Sequence, residues 1–216
     1  MRWIHRLGRL GDMLLADVCL LCEAPAGGVP NLCDACAAEL AALARPAPAS
    51  PRVRLRAAFR YAPPASTLVQ AFKYRGDLPA GLTLATLLAH HLAEQPPAPP
   101  QALIPVPLHP SRLRARGFNQ AVELAARLGR LMDVPVMADA CRRARATAPQ
   151  SELDSARARF ANVTGAFVMA TELSGISHVA VVDDVVTTGA TVRELGRVLR
   201  RAGVRRVDVW SCARAG

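Results

Sequence analysis

The segment at residues 179–191 (VAVVDDVVTTGAT) contains residue types that can bind a sugar phosphate. Two adjacent acids, Asp183 and Asp184, follow an apolar run, and a turn rich in threonine and glycine then leads into a predicted helix. At the carboxyl end of a parallel strand, such a turn directs backbone N–H groups at an anion, and the helix N-terminus adds positive potential. The residues predicted to hold the phosphate are Thr187, Thr188, Gly189, Ala190 and Thr191.

The acidic pair complements the turn chemically. Asp183 and Asp184, the candidate catalytic residues, can accept hydrogen bonds from vicinal ribose hydroxyls, while threonine hydroxyls can donate to a phosphate. Gly189 permits close approach of a ligand to the backbone. The segment has neither the G-K-[ST] element of a Walker A loop nor the G-x-G-x-x-G dinucleotide fingerprint, so both motifs are excluded. A second interpretation stays open, in which the acids cap the helix and the threonines are ordinary turn residues.

Four cysteines have the spacing of a zinc site. Cys19 and Cys22 form one C-x-x-C pair, and Cys33 and Cys36 form a second pair ten residues later. Because two intervening residues let both sulfurs of a pair face one ion, the pattern predicts a closed, structural four-thiolate Zn²⁺ site. The alternatives are a disulfide or two redox motifs, and zinc ribbons also bind nucleic acid or proteins. Clustered thiols favour a reducing compartment, which predicts a cytoplasmic protein.

Strands and helices alternate around these residues. Strands are predicted at 53–61, 102–106, 178–182 and 204–211, and helices at 66–92, 119–132 and 191–202. The 119–132 helix has apolar residues at helical spacing: Val122, Leu124, Ala125, Leu128 and Leu131. Since the 102–106 and 178–182 runs are continuously apolar, the pattern predicts an α/β fold with a parallel sheet covered on both faces.

Two proline-rich stretches, at 45–51 and 95–101, are typical of stiff connectors. They predict an N-terminal helix and zinc-ribbon module at 1–50, and one larger domain at 51–216. Residues 1–18 are predicted to form a short amphipathic helix, because Gly8, Arg9, Asp12 and Asp17 interrupt the apolar run that a secretory signal needs. The uncharged, largely apolar stretch at 78–93 is too short to span a bilayer, so no membrane insertion is expected.

The chain carries a formal net charge of +10, which favours an anionic partner such as phosphate, pyrophosphate or nucleic acid. Lys73 is the single lysine among 27 basic residues, so the arginine content can equally reflect genome composition. Aromatic residues make up only 4% of the chain, which gives little support to stacking on single-stranded DNA.

The sequence VVDDVVTTGAT resembles the phosphoribosyl pyrophosphate signature of type I phosphoribosyltransferases, and nearly the whole chain resembles the ComF family. Beyond the signature and the cysteine pairs, the resemblance rests on FKYRGD at 72–77, IPVPLHPSRLRARGFNQ at 104–120, Arg145, Thr147, Gln150, Asn162 and Phe167. It implies a doubly wound sheet with a hood, a 5-phosphate on the signature turn, ribose at Asp183 and Asp184, and magnesium. It also implies a link to natural transformation.

Further residues acquire candidate roles from this resemblance. The loop expected at 105–119 brings Arg112, Arg114 and Arg116 to the same sheet edge, where arginine forks suit pyrophosphate oxygens. Alternate spacing prevents all three from pointing inward, and Arg112 and Arg116 are the preferred pair. The role of His109 stays open, as does the choice between Arg157 and Arg159 in the segment at 143–167, which resembles one that closes over bound substrate.

Three functions follow as hypotheses. The first is an enzyme that transfers a phosphoribosyl group to an acceptor which the sequence does not identify. The second is a non-catalytic competence factor that binds single-stranded DNA or DNA-uptake proteins, and the third is a sensor of phosphoribosyl pyrophosphate. The oligomeric state is not encoded in any recognisable pattern.

Overall fold

The computed structural model describes residues 18–27, 30–44, 54–94, 98–147 and 155–215. The predicted N-terminal helix, apart from Val18, and the connector at 45–51 lie outside these residues. None of the described helices is long and apolar enough to cross a membrane.

A parallel sheet of four strands forms the centre of the molecule. Its order is β1 (Arg54–Arg60), β6 (Arg206–Arg214), β5 (His178–Val186) and β2 (Ala102–Pro105). Two shorter strands, β3 (Cys141–Arg143) and β4 (Phe167–Met169), form a separate antiparallel pair. The helices are α1 (Asp34–Ala41), α2 (Ala65–Arg75), α3 (Leu78–Glu94), α4 (Pro110–Arg116), α5 (Gln120–Met132), α6 (Ala156–Val163) and α7 (Ala190–Arg201).

Both faces of the sheet are buried, because successive side chains of a strand point to opposite faces. On β5, Ala180 and Val182 belong to the apolar core that contains residues of α2, α3 and α5. Val179 and Val181 belong to a second core, which contains residues of α7. The doubly covered parallel sheet predicted from the continuous apolar runs is therefore confirmed.

The chain reverses its direction of winding between β2 and β5. Helix α5, which follows β2, packs in one core, whereas α7, which follows β5, packs in the other. When the helices that follow two adjacent parallel strands pack on opposite faces of the sheet, a crevice forms between the carboxyl ends of the strands. α/β proteins commonly bind ligands in this crevice.

Several sequence-based predictions about these elements differ from the structure. Strand β5 continues to Val186 because β6 is long enough to pair with it, and Asp183 and Asp184 therefore lie inside the strand. The single helix predicted at 66–92 is two helices, since Gly76 adopts a left-handed conformation (φ 67°) between them. Leu131 was expected on the apolar face of α5 but is 55% exposed, because it lies at the edge of the buried stripe in the last turn.

The cysteine module packs directly on α3. Its residues Leu32, Leu40 and Leu43 belong to the same core as Leu84 and Leu88. The fully buried Thr83 also donates a hydrogen bond from its Oγ1 to the carbonyl of Pro30 (2.8 Å). The module thus shares a core with the larger unit, and the proposed domain division between residues 50 and 51 stays a prediction.

Gly129 of α5 should not tolerate a side chain. An added Cβ would lie 2.7 Å from the carbonyl oxygen of Val134, a backbone atom that cannot rotate away. Gly129→Ala is therefore expected to lower the unfolding free energy by about 1–3 kcal/mol. Gly196→Ala on α7 is the matched control, since its nearest neighbour would lie 3.5 Å away, and it should stabilise by about 0.5–1 kcal/mol. Denaturant unfolding measures both, and equal effects of the same sign would contradict the packing argument.

Candidate functional site

A cavity of about 480 Å³ opens at the carboxyl ends of β2 and β5. It brings together all of the residues proposed for the sugar phosphate: Asp183, Asp184, Thr187, Thr188, Gly189, Ala190, Thr191, Arg112 and Arg116. Lys73 and Tyr74 from α2 and Arg143 from β3 complete much of its wall. The cavity thus has carboxylates on its floor, a threonine-rich turn on one side and basic residues around it.

The turn between β5 and α7 has unused hydrogen-bond donors. Gly189 caps the helix in a left-handed conformation (φ 75°), and the first helical bond runs from Arg193 N–H to its carbonyl (2.9 Å). Within the described residues, the backbone N–H groups of Thr187, Thr188 and Thr191 donate to no protein acceptor. These amides, together with the N-terminal end of α7, can bind an anion.

The acidic pair is held by the strand and by Lys73. Asp184 is 6% exposed, and its Oδ2 lies 3.2 Å from Lys73 Nζ. Its Oδ1 accepts a hydrogen bond from Val185 N–H (2.8 Å), while Asp183 Oδ1 accepts one from Asp184 N–H (3.0 Å). Burial, followed by the Asp184 carboxylate, raises the pKa of Asp183 from 3.8 to about 8. Burial lowers the pKa of Lys73, but the charges of Asp184 and Asp183 outweigh this and raise it.

The predicted loop at 105–119 contains a helix, α4, and this explains which arginines reach the cavity. His109 caps α4, and its Nδ1 accepts a hydrogen bond from Ser111 N–H (3.3 Å). Residues four apart share a helix face, so Arg112 and Arg116 both line the cavity while Arg114 is exposed. Both preferred arginines thus line the cavity, and their contact with pyrophosphate stays a prediction, whereas the expectation of an irregular loop was wrong.

Two cavity residues were given no role from the sequence. Arg143 comes from β3, and Gln120 accepts a hydrogen bond from Arg116 Nη1 (2.7 Å) through its Oε1. Arg157 is exposed, whereas Arg159 lines the cavity, so the structure favours Arg159 as the cavity residue of the two.

Lys73 and Tyr74 belong to the FKYRGD motif that carries part of the family resemblance. The contact between Lys73 and Asp184 was not predicted, because the two residues are far apart in the sequence. Tyr74 does not pack inside the protein, since it is 69% exposed beneath the Arg116 guanidinium.

The four cysteines of the two pairs converge. All four Sγ atoms of Cys19, Cys22, Cys33 and Cys36 lie within 4.8 Å of one another, and the Cys22–Cys33 pair is 3.6 Å apart. A tetrahedral Zn²⁺ with Zn–S bonds of about 2.3 Å needs sulfurs about 3.8 Å apart, so this cluster fits the ion. Burial raises the pKa of Cys19, but hydrogen bonds from the amides of Cys33, Leu21 and Cys22 lower it to about 6.

No protein-family model matches the chain. It is similar to "Competence protein F" of Haemophilus influenzae, with 38% identity over 166 residues, 72% of this chain and 70% of the relative. It is also similar to "DNA utilization protein YhgH" of Escherichia coli O157:H7, with 34% identity over 209 residues, 91% of this chain and 90% of the relative. The same-named protein of Salmonella typhi is 35% identical over 202 residues, 92% of this chain and 84% of the relative. With these relatives and its N-terminal four-cysteine cluster, the chain belongs to the ComF family.

Proposed function

We propose that the protein binds phosphoribosyl pyrophosphate with magnesium and transfers its phosphoribosyl group to an acceptor. The observation that carries this proposal is the meeting of a turn with unused amide donors and a buried acidic pair in one cavity. A sugar phosphate needs donors for its phosphate and acceptors for its hydroxyls, and the two sides of the cavity supply both.

Each part of the donor has a place in this proposal. The turn from Thr187 to Thr191 holds the 5-phosphate, and Asp183 and Asp184 accept hydrogen bonds from the ribose hydroxyls. Arg112 and Arg116 face the pyrophosphate from α4. Magnesium bound together with the donor would neutralise the charge that develops on the pyrophosphate leaving group. The protein's own contribution is to orient the donor and stabilise charge.

Calorimetry with phosphoribosyl pyrophosphate and magnesium tests the binding step. A screen that follows pyrophosphate release with candidate acceptors then tests transfer. Release that depends on one acceptor supports an enzyme, whereas tight donor binding without turnover for any acceptor supports a sensor. No binding of the donor would overturn the proposal.

Donor affinity should rise with pH. Burial and the neighbouring Asp184 carboxylate raise the pKa of Asp183 to about 8, so this carboxyl is largely protonated at pH 7 and cannot accept from both ribose hydroxyls. We expect affinity to rise by up to about tenfold per pH unit below pH 8 and then level off. The contribution of Asp183 to folding stability changes with pH in the opposite direction. Because its pKa is raised in the folded state, this contribution is fully present below pH 4 and is lost as the pH rises through 8. Calorimetry between pH 7 and 9 measures the trend, which Asp183→Asn should flatten.

We also propose that the four-cysteine cluster holds a structural Zn²⁺ and that the protein acts in the cytoplasm, where thiols stay reduced. A closed set of four thiolates leaves no coordination position for a substrate. In this proposal the ion stabilises residues 19–36, and through them the contact with α3.

A role in DNA uptake or utilization is a second proposal. It is supported by the names of the relatives, "Competence protein F" and "DNA utilization protein YhgH", and by the net charge of +10. Binding of single-stranded DNA that weakens steeply with salt would support a direct contact with the strand. If the protein does not bind single-stranded DNA at low salt, a role in DNA uptake would have to act through partner proteins or through the proposed reaction of phosphoribosyl pyrophosphate.

A further inference from the structure

The exposed face of α7 consists of arginine. Within this helix, all of whose residues are described, the fully exposed side chains are Arg193, Arg200 and Arg201. Arg197 lies on the same face, and its side chain is 39% exposed. Because an α-helix has 3.6 residues per turn, the four side chains fall within about 100° around the helix axis. These four residues are named the α7 stripe below.

The stripe brings like charges close together. Arg193 and Arg197 are four residues apart, as are Arg197 and Arg201, and like charges at this spacing destabilise a helix. The single acid of α7, Glu194, is 9% exposed, and its Oε1 accepts a hydrogen bond from Arg197 Nη2 (2.6 Å). Arg193 lies over the ring of Phe160, 5.4 Å from the ring centre. An external anion along the stripe would relieve the repulsion between these arginines.

A high arginine content alone does not explain this sorting of charge. Helix α5 has a similar length and mixes both signs among its partly exposed residues, where Arg127 follows Glu123 at a spacing of four. An acid that precedes a base at this spacing stabilises a helix. If arginine only kept helix surfaces solvated, α7 would be expected to show the same mixture.

The shape of the stripe suits a linear anion. From Arg193 to Arg201 the helix rises by about 12 Å, at about 1.5 Å per residue. A nucleic-acid strand carries phosphates at regular intervals along its length, and the planar guanidinium group can bind two phosphate oxygens at once. A lipid bilayer fits less well, because the apolar residues of α7 are buried in the core and cannot insert into lipid: Leu195, Val198 and Leu199.

We propose that the α7 stripe binds the phosphate backbone of single-stranded DNA, independently of base sequence. This surface rests on the second proposed function, a direct contact with DNA, and gives that contact a location. Arg193 follows Val192, a residue of the cavity wall, so a strand on the stripe starts at the rim of the cavity, although no member of the stripe lines the cavity itself. Backbone contacts need no exposed aromatic residues, which agrees with an aromatic content of only 4%.

Fluorescence anisotropy with a labelled oligothymidylate, measured over a range of salt concentrations, tests this surface. The triple variant Arg193→Gln, Arg200→Gln and Arg201→Gln should bind at least about 10-fold more weakly at low salt. It keeps Arg197, which holds Glu194. The slope of log affinity against log salt should become shallower by about 2, because each phosphate contact to a single strand contributes about 0.7.

A matched control removes three exposed arginines from other elements: Arg60→Gln, Arg114→Gln and Arg130→Gln. It loses the same net charge but should keep the salt slope of the wild-type protein. Circular dichroism establishes that both triple variants are folded. The double variant Arg200→Gln with Arg201→Gln, which leaves the contact between Arg193 and Phe160 intact, should give about two thirds of the change in slope.

The possible outcomes separate the stripe from the function on which it rests. Equal losses in both triple variants would overturn the stripe, since net charge alone would explain them. If the wild-type protein and the α7 variant bind the oligonucleotide with the same salt slope, the stripe fails and the second proposed function stands. If the wild-type protein does not bind it at low salt, both fail. Binding to phosphatidylglycerol vesicles that the α7 variant loses, with oligonucleotide binding retained, would assign the stripe to a membrane surface and overturn the proposal.

Discussion

Exchanging both cavity carboxylates for amides, Asp183→Asn with Asp184→Asn, is expected to weaken binding of phosphoribosyl pyrophosphate with magnesium by at least about 100-fold. The amides preserve the shape of the side chains but not the charged acceptors that two ribose hydroxyls need. The exchange also leaves Lys73, now 3.2 Å from a carboxylate oxygen of Asp184, without its ion-pair partner. Calorimetry at pH 8.5 gives the largest difference, because Asp183 of the wild-type protein is then mostly ionised.

The double variant needs a control with the same change in net charge. Asp139→Asn with Glu172→Gln serves this purpose, because both side chains are exposed and neither lines the cavity. It should bind the donor as the wild-type protein does. Circular dichroism establishes that both double variants are folded. If the cavity variant bound the donor within about threefold of wild type, corresponding to less than 1 kcal/mol, the acidic pair would have no role in ribose binding.

Loss of Cys36, a ligand of the proposed zinc site, should have the largest effect on stability. Metal binding contributes directly to folding in small thiolate modules, where it is worth about 10–16 kcal/mol in isolated peptides. Because Leu32, Leu40 and Leu43 share a core with α3, disruption of the module should also expose apolar surface on the larger unit. We therefore expect Cys36→Ser to lower the unfolding free energy by more than about 3 kcal/mol, as measured by denaturant unfolding.

A cysteine outside the cluster provides the comparison. Cys212 is fully buried in β6, so Cys212→Ala should cost about 1 kcal/mol while leaving one zinc per chain by elemental analysis. Incubation with a chelator should reproduce the Cys36→Ser effect in the wild-type protein. Full retention of stability after complete removal of zinc would contradict a structural role for the ion.

The turn after β5 was predictable because its determinants are local. Glycine at the left-handed position and acids at the end of an apolar strand are adjacent in the sequence, and each acts through the backbone beside it. The two C-x-x-C pairs were predictable for the same reason, since their spacing alone sets which way the sulfurs face. The parallel sheet followed from continuous apolar runs, which two buried faces require.

Other parts of the site depend on contacts between distant segments. Lys73 reaches Asp184 only because the fold brings the last turn of α2 close to this carboxylate, and nothing near either residue in the sequence encodes that approach. Arg143 enters the cavity through the pairing of β3 with β4, two strands too short to be recognised by periodicity. Arg112 and Arg116 were preferred over Arg114 from their spacing, but the helix α4 that places them on one face was not predicted, because its proline-led start was interpreted as a loop.

Lys73 is the chain's single lysine, and it lies in the cavity wall. An amine-selective acylating reagent therefore meets one side-chain target in the whole protein, and that target is placed where the donor would sit. Peptide mapping of acylation at Lys73 after brief exposure to such a reagent would distinguish occupied from vacant cavities, without a radioactive label or an assay for turnover. Because this arginine-rich chain has a single lysine, the Lys73 amine that pairs with Asp184 can report whether the cavity is occupied.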